Sequence, residues 1–114
     1  MEQHKEIRWV GSSYDDILDF PAEPRKEAGF QLGKVQAGLE PDNWKPFDDV
    51  GTGTKEIRIR DASGAYRVMY VAKYEEAIYV LHCFHKKTET TTKHDKNIAE
   101  TRYRAVLRER SEQK

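Results

Sequence analysis

The sequence predicts one α+β domain whose elements follow the order β-α-α-β-β-β-α. A chain of 114 residues, of which 37% are hydrophobic, supports a single modest core, so we assign residues 1–114 to one domain. Apolar residues recur with helical spacing between residues 12 and 37 and with a period of two from residue 55 onward. This change indicates helices followed by strands.

The first strand and the first helix lie close together. Residues 7–10 are a short β-prone run that ends at Gly11, and we interpret them as a strand. Ser12 and Ser13 are N-cap candidates for a helix that Pro21 stops, because proline disfavours a helical residue before it.

A second helix and a long loop precede the remaining strands. We place the helix at residues 24–37, with Gly38 as its C-terminal cap. Its apolar stripe consists of Ala28, Leu32 and Val35. Residues 39–54 form the loop, and Trp44 and Phe47 within it indicate that the loop is ordered, since both rings need something to pack on.

Three consecutive strands are predicted at residues 55–60, 65–74 and 77–84. Short turns separate them, so they form an antiparallel meander. In the last two strands both alternating sets of residues are partly apolar, a pattern typical of strands that are covered on both faces.

A C-terminal helix follows a polar, threonine-rich segment. Thr92 is its predicted N-cap, with Asp95 three residues later as a capping partner. We expect its core side to carry Ile98, Ala99, Ala105, Val106 and Leu107. We expect its arginines to face solvent or a partner, namely Arg102, Arg104, Arg108 and Arg110.

The net charge of zero conceals two halves of opposite sign. Residues 1–54 hold 6 Lys+Arg and 11 Asp+Glu, a balance of −5, and residues 55–114 hold 14 and 9, a balance of +5. Such an asymmetry is typical of proteins that bind polyanions through one basic surface. It equally fits a fold in which the two halves pair with each other.

Several classes of protein are disfavoured. The longest apolar run, near residues 78–84, is too short to span a bilayer. The polar N-terminus lacks a signal segment, so we expect a cytoplasmic protein with no membrane partner. The single cysteine, Cys83, excludes an internal disulfide.

Common catalytic and metal-binding motifs are missing from the sequence. It contains no G-x-S-x-G, P-loop, H-E-x-x-H or glycine-rich dinucleotide turn. His82, Cys83 and His85 lie close together, but alternation places His82 on one face and the other two on the opposite face. We therefore expect His82 and Cys83 to be core residues rather than metal ligands, and we expect no cofactor.

The cations of the second half are the clearest functional signal. Arg58 and Arg60 lie on one strand, Arg67 on the next, and His85, Lys86 and Lys87 at the end of the last. Neighbouring strands are about 4.8 Å apart, so these side chains can gather into one patch. Tyrosines, Tyr66 among them, add surfaces for unstacked bases. The patch favours RNA or another polyanion, although a solvated charged face is the simpler reading of any one residue.

Five short segments follow one another in a recognisable order: the helix end at 32–38, KEIR at 55–58, YRVMY at 66–70, IYVLHCFHKKT at 78–88 and NIAETR at 97–102. Taken together, they make the chain resemble phage-derived RelE/HigB-like toxins. No segment is specific alone, but their joint order and spacing extend the resemblance from Trp9 to Arg110.

This resemblance implies the RelE/ParE fold, a curved antiparallel sheet flanked by an N-terminal helical hairpin and a C-terminal helix. It also implies the toxin of a type II toxin–antitoxin pair, which cleaves mRNA, often at the ribosome. The implied partner is an antitoxin with a helix-turn-helix domain.

A nuclease of this kind needs no metal, because the RNA 2′-OH attacks the adjacent phosphate. The site must supply a proton acceptor, a cation and a proton donor. We expect Arg67 to stabilise the phosphorane and Lys86 and Lys87 to supply charge and the general acid. His85 is the expected general base, because its ordinary pKa lies near 6.5. The expected RNA-binding residues are Arg58, Arg60, Tyr66 and His94, and His94 is the rival base.

Two other functions fit the same fold, since a fold does not fix an activity. ParE-like toxins inhibit DNA gyrase without cutting RNA. A structural phage protein, or a decayed toxin that binds RNA without cleaving it, is the third possibility.

Overall fold

A mixed five-stranded sheet runs through the molecule, with helices on both faces. The computed structural model describes residues 4–113, so residues 1–3 and 114 of the predicted domain lie outside it. None of the helices in this range is long and apolar enough to cross a membrane. The elements are β1 (Glu6–Trp9), α1 (Ser13–Leu18), α2 (Ala22–Gln36), β2 (Trp44–Pro46), β3 (Thr54–Asp61), β4 (Gly64–Val71), β5 (Ala77–Lys86) and α3 (Lys93–Glu112).

The predicted α+β class is confirmed, and the strand order is β1-β5-β4-β3-β2. Strands β3, β4 and β5 form the predicted antiparallel meander. The expectation of a fully antiparallel sheet is wrong for β1, which pairs in parallel with β5 from Glu6 opposite Ala77 to Trp9 opposite Val80. The intervening helices and strands supply the long crossover that a parallel pair requires.

Strand β2 lies in the segment that the sequence indicates as an ordered loop. Trp44 pairs opposite Ile57, and Pro46 opposite Lys55. A proline is tolerated here because β2 is an edge strand with only one neighbour. As predicted, Trp44 has a packing partner, since the Lys55 ammonium lies 4.5 Å from its ring centroid.

The two helical layers bury the two faces of the sheet. The face covered by α1 and α2, which we call the hairpin face, includes Ile17, Leu32, Ile57, Val68, Tyr70 and Val80. The face covered by α3, which we call the α3 face, includes Met69, Val71, Leu81, Phe84, Ala99 and Val106. Alternate residues of β4 and β5 thus belong to different cores, which confirms the predicted two-sided coverage.

The helix caps agree with the sequence at α3 and differ at α1. Thr92 Oγ1 accepts a hydrogen bond from the Asp95 backbone N–H at 3.2 Å and donates to the Asp95 carboxylate at 2.9 Å, as a capping pair does. Ser12 lies at the N-cap of α1, but its hydroxyl donates to the Asp16 carboxylate instead of capping the backbone.

The inner side of α3 differs from the one predicted. Tyr103 packs in the core between Ala99 and Val106, and its hydroxyl donates to the Thr52 carbonyl at 2.7 Å. Arg102 points inward and donates to the Leu81 carbonyl at 2.9 Å. Leu107 is 44% exposed. The prediction is confirmed for Ala99 and Val106, whereas the predicted inward Leu107 and outward Arg102 are wrong.

Candidate nucleic-acid interface

The register of the sheet gathers most of the predicted cations on the α3 face. Arg58 is directly opposite Arg67. Arg60 is opposite Ala65, which is in turn opposite Lys86, so these three residues form one row across strands β3, β4 and β5. Lys45 of β2 lies opposite Glu56, two residues before Arg58. Residues directly opposite each other share a face. We call Lys45, Arg58, Arg60, Arg67 and Lys86 the cationic cluster.

The cluster lies beyond the N-terminal end of α3. Asp95 in the first turn of α3 contacts His82, which shares a row with Glu56 through Met69. The rows of Arg58 and Arg60 lie further toward the strand ends. At the other end of the helix, Arg110 contacts Glu76. The helix therefore leaves the strand ends that carry the cations uncovered.

The charges of the cluster act on one another. Burial lowers the pKa of Lys86, and the positive charges of Arg67, Lys45 and Arg58 lower it further. Burial likewise lowers the pKa of Arg67, with Arg58 and Arg60 adding to the effect and Glu56 opposing it. The cluster is thus a single region of positive potential, which favours the binding of an anion.

A buried carboxylate lies among these cations. The Glu56 side chain is 0% exposed and its Oε1 atom lies 3.5 Å from Nε of Arg67, whose side chain is 5% exposed. Arg67 also donates to the Tyr66 carbonyl at 3.0 Å, and the Thr91 hydroxyl lies 3.5 Å from the Glu56 carboxylate. Arg67 is therefore beneath the surface, where it forms an ion pair with Glu56 but no hydrogen bond between the two facing atoms.

Glu56 is absent from the site predicted from the sequence. Glu56 lies on the same face of its strand as Arg58 and Arg60, and in the sequence this pattern is typical of a polar face exposed to solvent. The available signal is that a single acid shares this face with two arginines. Its carboxylate is buried and is contacted by the distant Thr91, and no local pattern shows that contact.

Three cations of the cluster lie at least partly open to solvent, and no carboxylate among the described residues neutralises them. Within residues 4–113, Arg58, Arg60 and Lys86 have no carboxylate oxygen within 4 Å. Ion pairs that join the acidic and basic halves lie elsewhere: Lys55–Glu40, Lys96–Asp49 and Arg102–Asp16. The two halves thus pair in part while these cations stay available to a ligand.

Two predicted site residues lie on the opposite side of the sheet. Tyr66 and His85 are directly opposite each other, and their rings stack at 4.6 Å between centroids on the hairpin face. Gly64 adopts a φ of +140°, and a Cβ atom there would lie 2.4 Å from the His85 ring. The expectation that His85 joins Arg67 is therefore wrong, because alternation separates the two.

Lys87 and His94 lie outside the paired rows of the cluster. Lys87 follows the last residue of β5 and is exposed. His94, in the first turn of α3, is also exposed and lines a shallow depression with Ile98 and Arg102. Neither residue has a direct strand neighbour among the clustered cations.

A β-bulge shapes the neighbouring part of β5. Met69 lies opposite His82 and Tyr70 opposite Val80, so Leu81 is an extra residue. His82 therefore faces α3, where its Nε2 atom lies 2.8 Å from the Asp95 carboxylate, while Cys83 faces the hairpin core. Both are buried, which confirms the prediction that they are core residues. Burial raises the pKa of the Cys83 thiol.

The sequence relates the chain to one known family. The family described as Phage derived protein Gp49-like (DUF891) matches residues 15–104, a span that includes β2 to β5 and the first half of α3. Among curated proteins none matches the chain. Since the family match covers well over half of the sequence, the protein belongs to the phage-derived Gp49-like family.

Proposed function

We propose that the protein is the toxin of a type II toxin–antitoxin pair and that it cleaves mRNA without a metal ion, at the ribosome. Membership of the phage-derived Gp49-like family is consistent with a toxin. The observation that carries the proposal is the cationic cluster, in which Arg58, Arg60 and Lys86 form no ion pair with any carboxylate of residues 4–113 and lie near the buried Glu56 carboxylate.

The reaction that suits this site is an internal transfer at phosphorus. The 2′-OH of one nucleotide attacks the adjacent phosphate, and the bond from phosphorus to the 5′-oxygen breaks. The products are a 2′,3′-cyclic phosphate and a 5′-hydroxyl. One group must take the proton of the 2′-OH, another must protonate the 5′-oxygen, and cations must stabilise the charge on the phosphorane.

Glu56 is the proton acceptor in this proposal, in place of His85. It is the carboxylate that shares the α3 face with the cationic cluster, whereas His85 stacks on Tyr66 on the other face. Arg67 positions Glu56 and adds positive charge. Because Glu56 is fully buried, its carboxylate must become accessible to RNA before it can take the proton.

Lys86 is the proposed general acid. Its pKa is lowered by burial and by the neighbouring cations, and a general acid works best when its pKa is close to the working pH. Arg58 and Arg60 would bind neighbouring phosphates, since a guanidinium donates to two phosphate oxygens at once. Lys87 follows the end of β5 and is exposed, and in this proposal it adds positive charge for binding RNA.

The proposed partners follow from this role. We infer that the protein acts in the cytoplasm, binds mRNA with the ribosome, and is neutralised by an antitoxin with a helix-turn-helix domain. The acidic helical hairpin and α3 are both candidate surfaces for that antitoxin.

The experiment is cleavage of ribosome-bound mRNA by the purified protein, with the new 5′ ends mapped by primer extension. Wild type should cut, and the double variant Arg58→Gln/Lys86→Gln should not. The matched control Lys26→Gln/Arg108→Gln removes the same charge from two exposed residues outside the cluster, and it should cut like wild type. Inhibition of DNA supercoiling by gyrase, with mRNA left intact, would instead support the ParE-like function.

A further inference from the structure

A partly exposed aromatic ring lies beside the cationic cluster, on the same face of the sheet. Phe47 follows β2, and its backbone N–H donates to the Thr54 carbonyl at 2.8 Å. This bond extends the pairing of β2 with β3 by one residue. Phe47 packs at the edge of the core under α3, so part of its ring is buried and part is open.

Two lysines flank this ring. The ammonium groups of Lys45 and Lys96 lie 5.5 and 5.8 Å from the ring centroid. Lys96 also lies 3.7 Å from the Asp49 carboxylate, but an exposed ion pair of this length contributes little stability. Both ammonium groups can therefore turn toward an anion bound next to the ring.

Lys45 connects the Phe47 ring to the cationic cluster, because it is a member of the cluster and its ammonium group also lies near the ring. Along β3, the rows of Thr54, Glu56, Arg58 and Arg60 follow one another at intervals of two residues, which is about 7 Å in a strand. Phe47 thus lies in the row of Thr54, next to the row of Lys45 and Glu56. This is the end of the cluster that is farthest from Arg60.

We propose that Phe47 is a platform on which a nucleobase of single-stranded RNA stacks, and that Lys45 and Lys96 bind the phosphates on either side of that nucleotide. An aromatic face with cations around it is how proteins bind single strands with little sequence preference. The proposal rests on the proposed function, because it extends the RNA path from the reacting phosphate to a neighbouring nucleotide. An acidic peptide would also satisfy the lysines, but it has no base to cover the ring.

The test is the affinity for a labelled 2′-O-methyl oligoribonucleotide, which binds but cannot be cleaved, measured by fluorescence anisotropy. Phe47→Leu keeps an apolar side chain against the core but loses the ring, and we expect the affinity to fall about tenfold. Phe47→Tyr keeps the ring and should bind within about twofold of wild type. Phe30→Leu is the matched control, since Phe30 is 61% exposed on α2.

A same-length abasic oligomer separates stacking from charge. We expect wild type and Phe47→Leu to bind it equally. Lys96→Gln provides a second readout, because the loss of one phosphate contact should lower the slope of log K against log salt by about 0.7. Equal RNA affinity of wild type and Phe47→Leu, an unchanged slope in Lys96→Gln, or an equal loss of affinity for the abasic oligomer would overturn the proposal.

The nuclease function and the stacking platform can fail separately. If wild type cleaves mRNA but Phe47→Leu binds RNA normally, only the platform is refuted. If Phe47→Leu weakens RNA binding but wild type cuts no RNA, the platform stands and the nuclease function is refuted. A wild-type protein that binds no RNA refutes both.

Discussion

Arg67 lies 3.5 Å from Glu56, and both side chains are almost completely buried on the α3 face of the sheet. A charge pair taken out of water adds little net stability, but the loss of one partner leaves the other charge unpaired in the interior. The pair therefore makes the fold sensitive to single changes at either residue. It also keeps a carboxylate in the middle of a positive region.

We expect Arg67→Met to lower the free energy of unfolding by about 3 to 5 kcal/mol, because Glu56 then remains buried without its partner. The double variant Glu56→Met/Arg67→Met should recover most of this loss, since two apolar groups replace two charges. Urea denaturation of wild type, both single variants and the double variant measures the coupling. Additive losses in the double variant would show that the two residues do not act as a pair.

The rate of mRNA cleavage should fall as the pH rises through the pKa of Lys86, because a general acid must be protonated. Burial and the nearby cations lower this pKa below its ordinary value of 10.5. Lys45→Gln removes one of these charges and should move the alkaline limb of the pH–rate profile to higher pH. Lys26→Gln, which lies outside the cluster, should leave the limb in place, and Lys86→Gln should slow cleavage about 10²-fold or more.

An alkaline limb that does not respond to Lys45→Gln would remove Lys86 from the role of general acid. A normal rate in Lys86→Gln would do the same.

The free energy of unfolding should decrease when the pH is lowered, because the buried His82 becomes protonated. Burial lowers the pKa of His82 below 6.5, and the contact with Asp95 only partly offsets this. The unfolded chain therefore binds a proton before the folded protein does, so this contribution is complete above pH 6.5 and is lost as the pH falls below it. A pKa that is one unit lower in the folded protein than in the unfolded chain contributes about 1.4 kcal/mol to the free energy of unfolding.

Urea denaturation between pH 7 and pH 5 tests this expectation. His82→Gln should flatten the pH dependence, whereas His94→Gln, at an exposed position, should retain it. An identical pH dependence in wild type and His82→Gln would contradict the account.

The C-terminal end of α3 should depend on Glu76. Hydrogen bonds from Arg110 lower the pKa of Glu76 to about 2, and the Tyr79 hydroxyl donates to the same carboxylate. This contribution to stability is present above pH 4.5 and is lost as the pH falls toward 2. In Arg110→Gln the pKa of Glu76 should rise toward 4.5 in an NMR titration. Amide exchange should also become faster in the last turns of α3, and an unchanged titration would refute this role of Arg110.

The local patterns of the sequence predict most of the elements. Alternation separates Ile57 and Ile59 from Arg58 and Arg60, and the register confirms that separation. Thr92 caps α3 as its position indicates. These features depend on neighbouring residues, which is why a single sequence reveals them.

The features that the sequence misses depend on distant contacts. Strand β2 has three residues and exists because it pairs with β3. Arg102 turns inward and donates to the carbonyl of Leu81, the extra residue of the bulge. Thr91, more than thirty residues away, contacts the buried Glu56 carboxylate. For the site, alternation along β5 could have separated His85 from Lys86, but only the register with β4 shows that Arg67 lies on the face of Lys86.

The most direct test of the central claim is the salt dependence of binding to a single-stranded oligoribonucleotide. The claim is that the cations of the cluster bind consecutive phosphates. Each lost contact should lower the slope of log K against log salt by about 0.7, so Arg60→Gln/Lys86→Gln should lower it by about 1.4. The charge-matched variant Lys26→Gln/Arg108→Gln should keep the wild-type slope. Equal slopes in the two double variants would contradict the account.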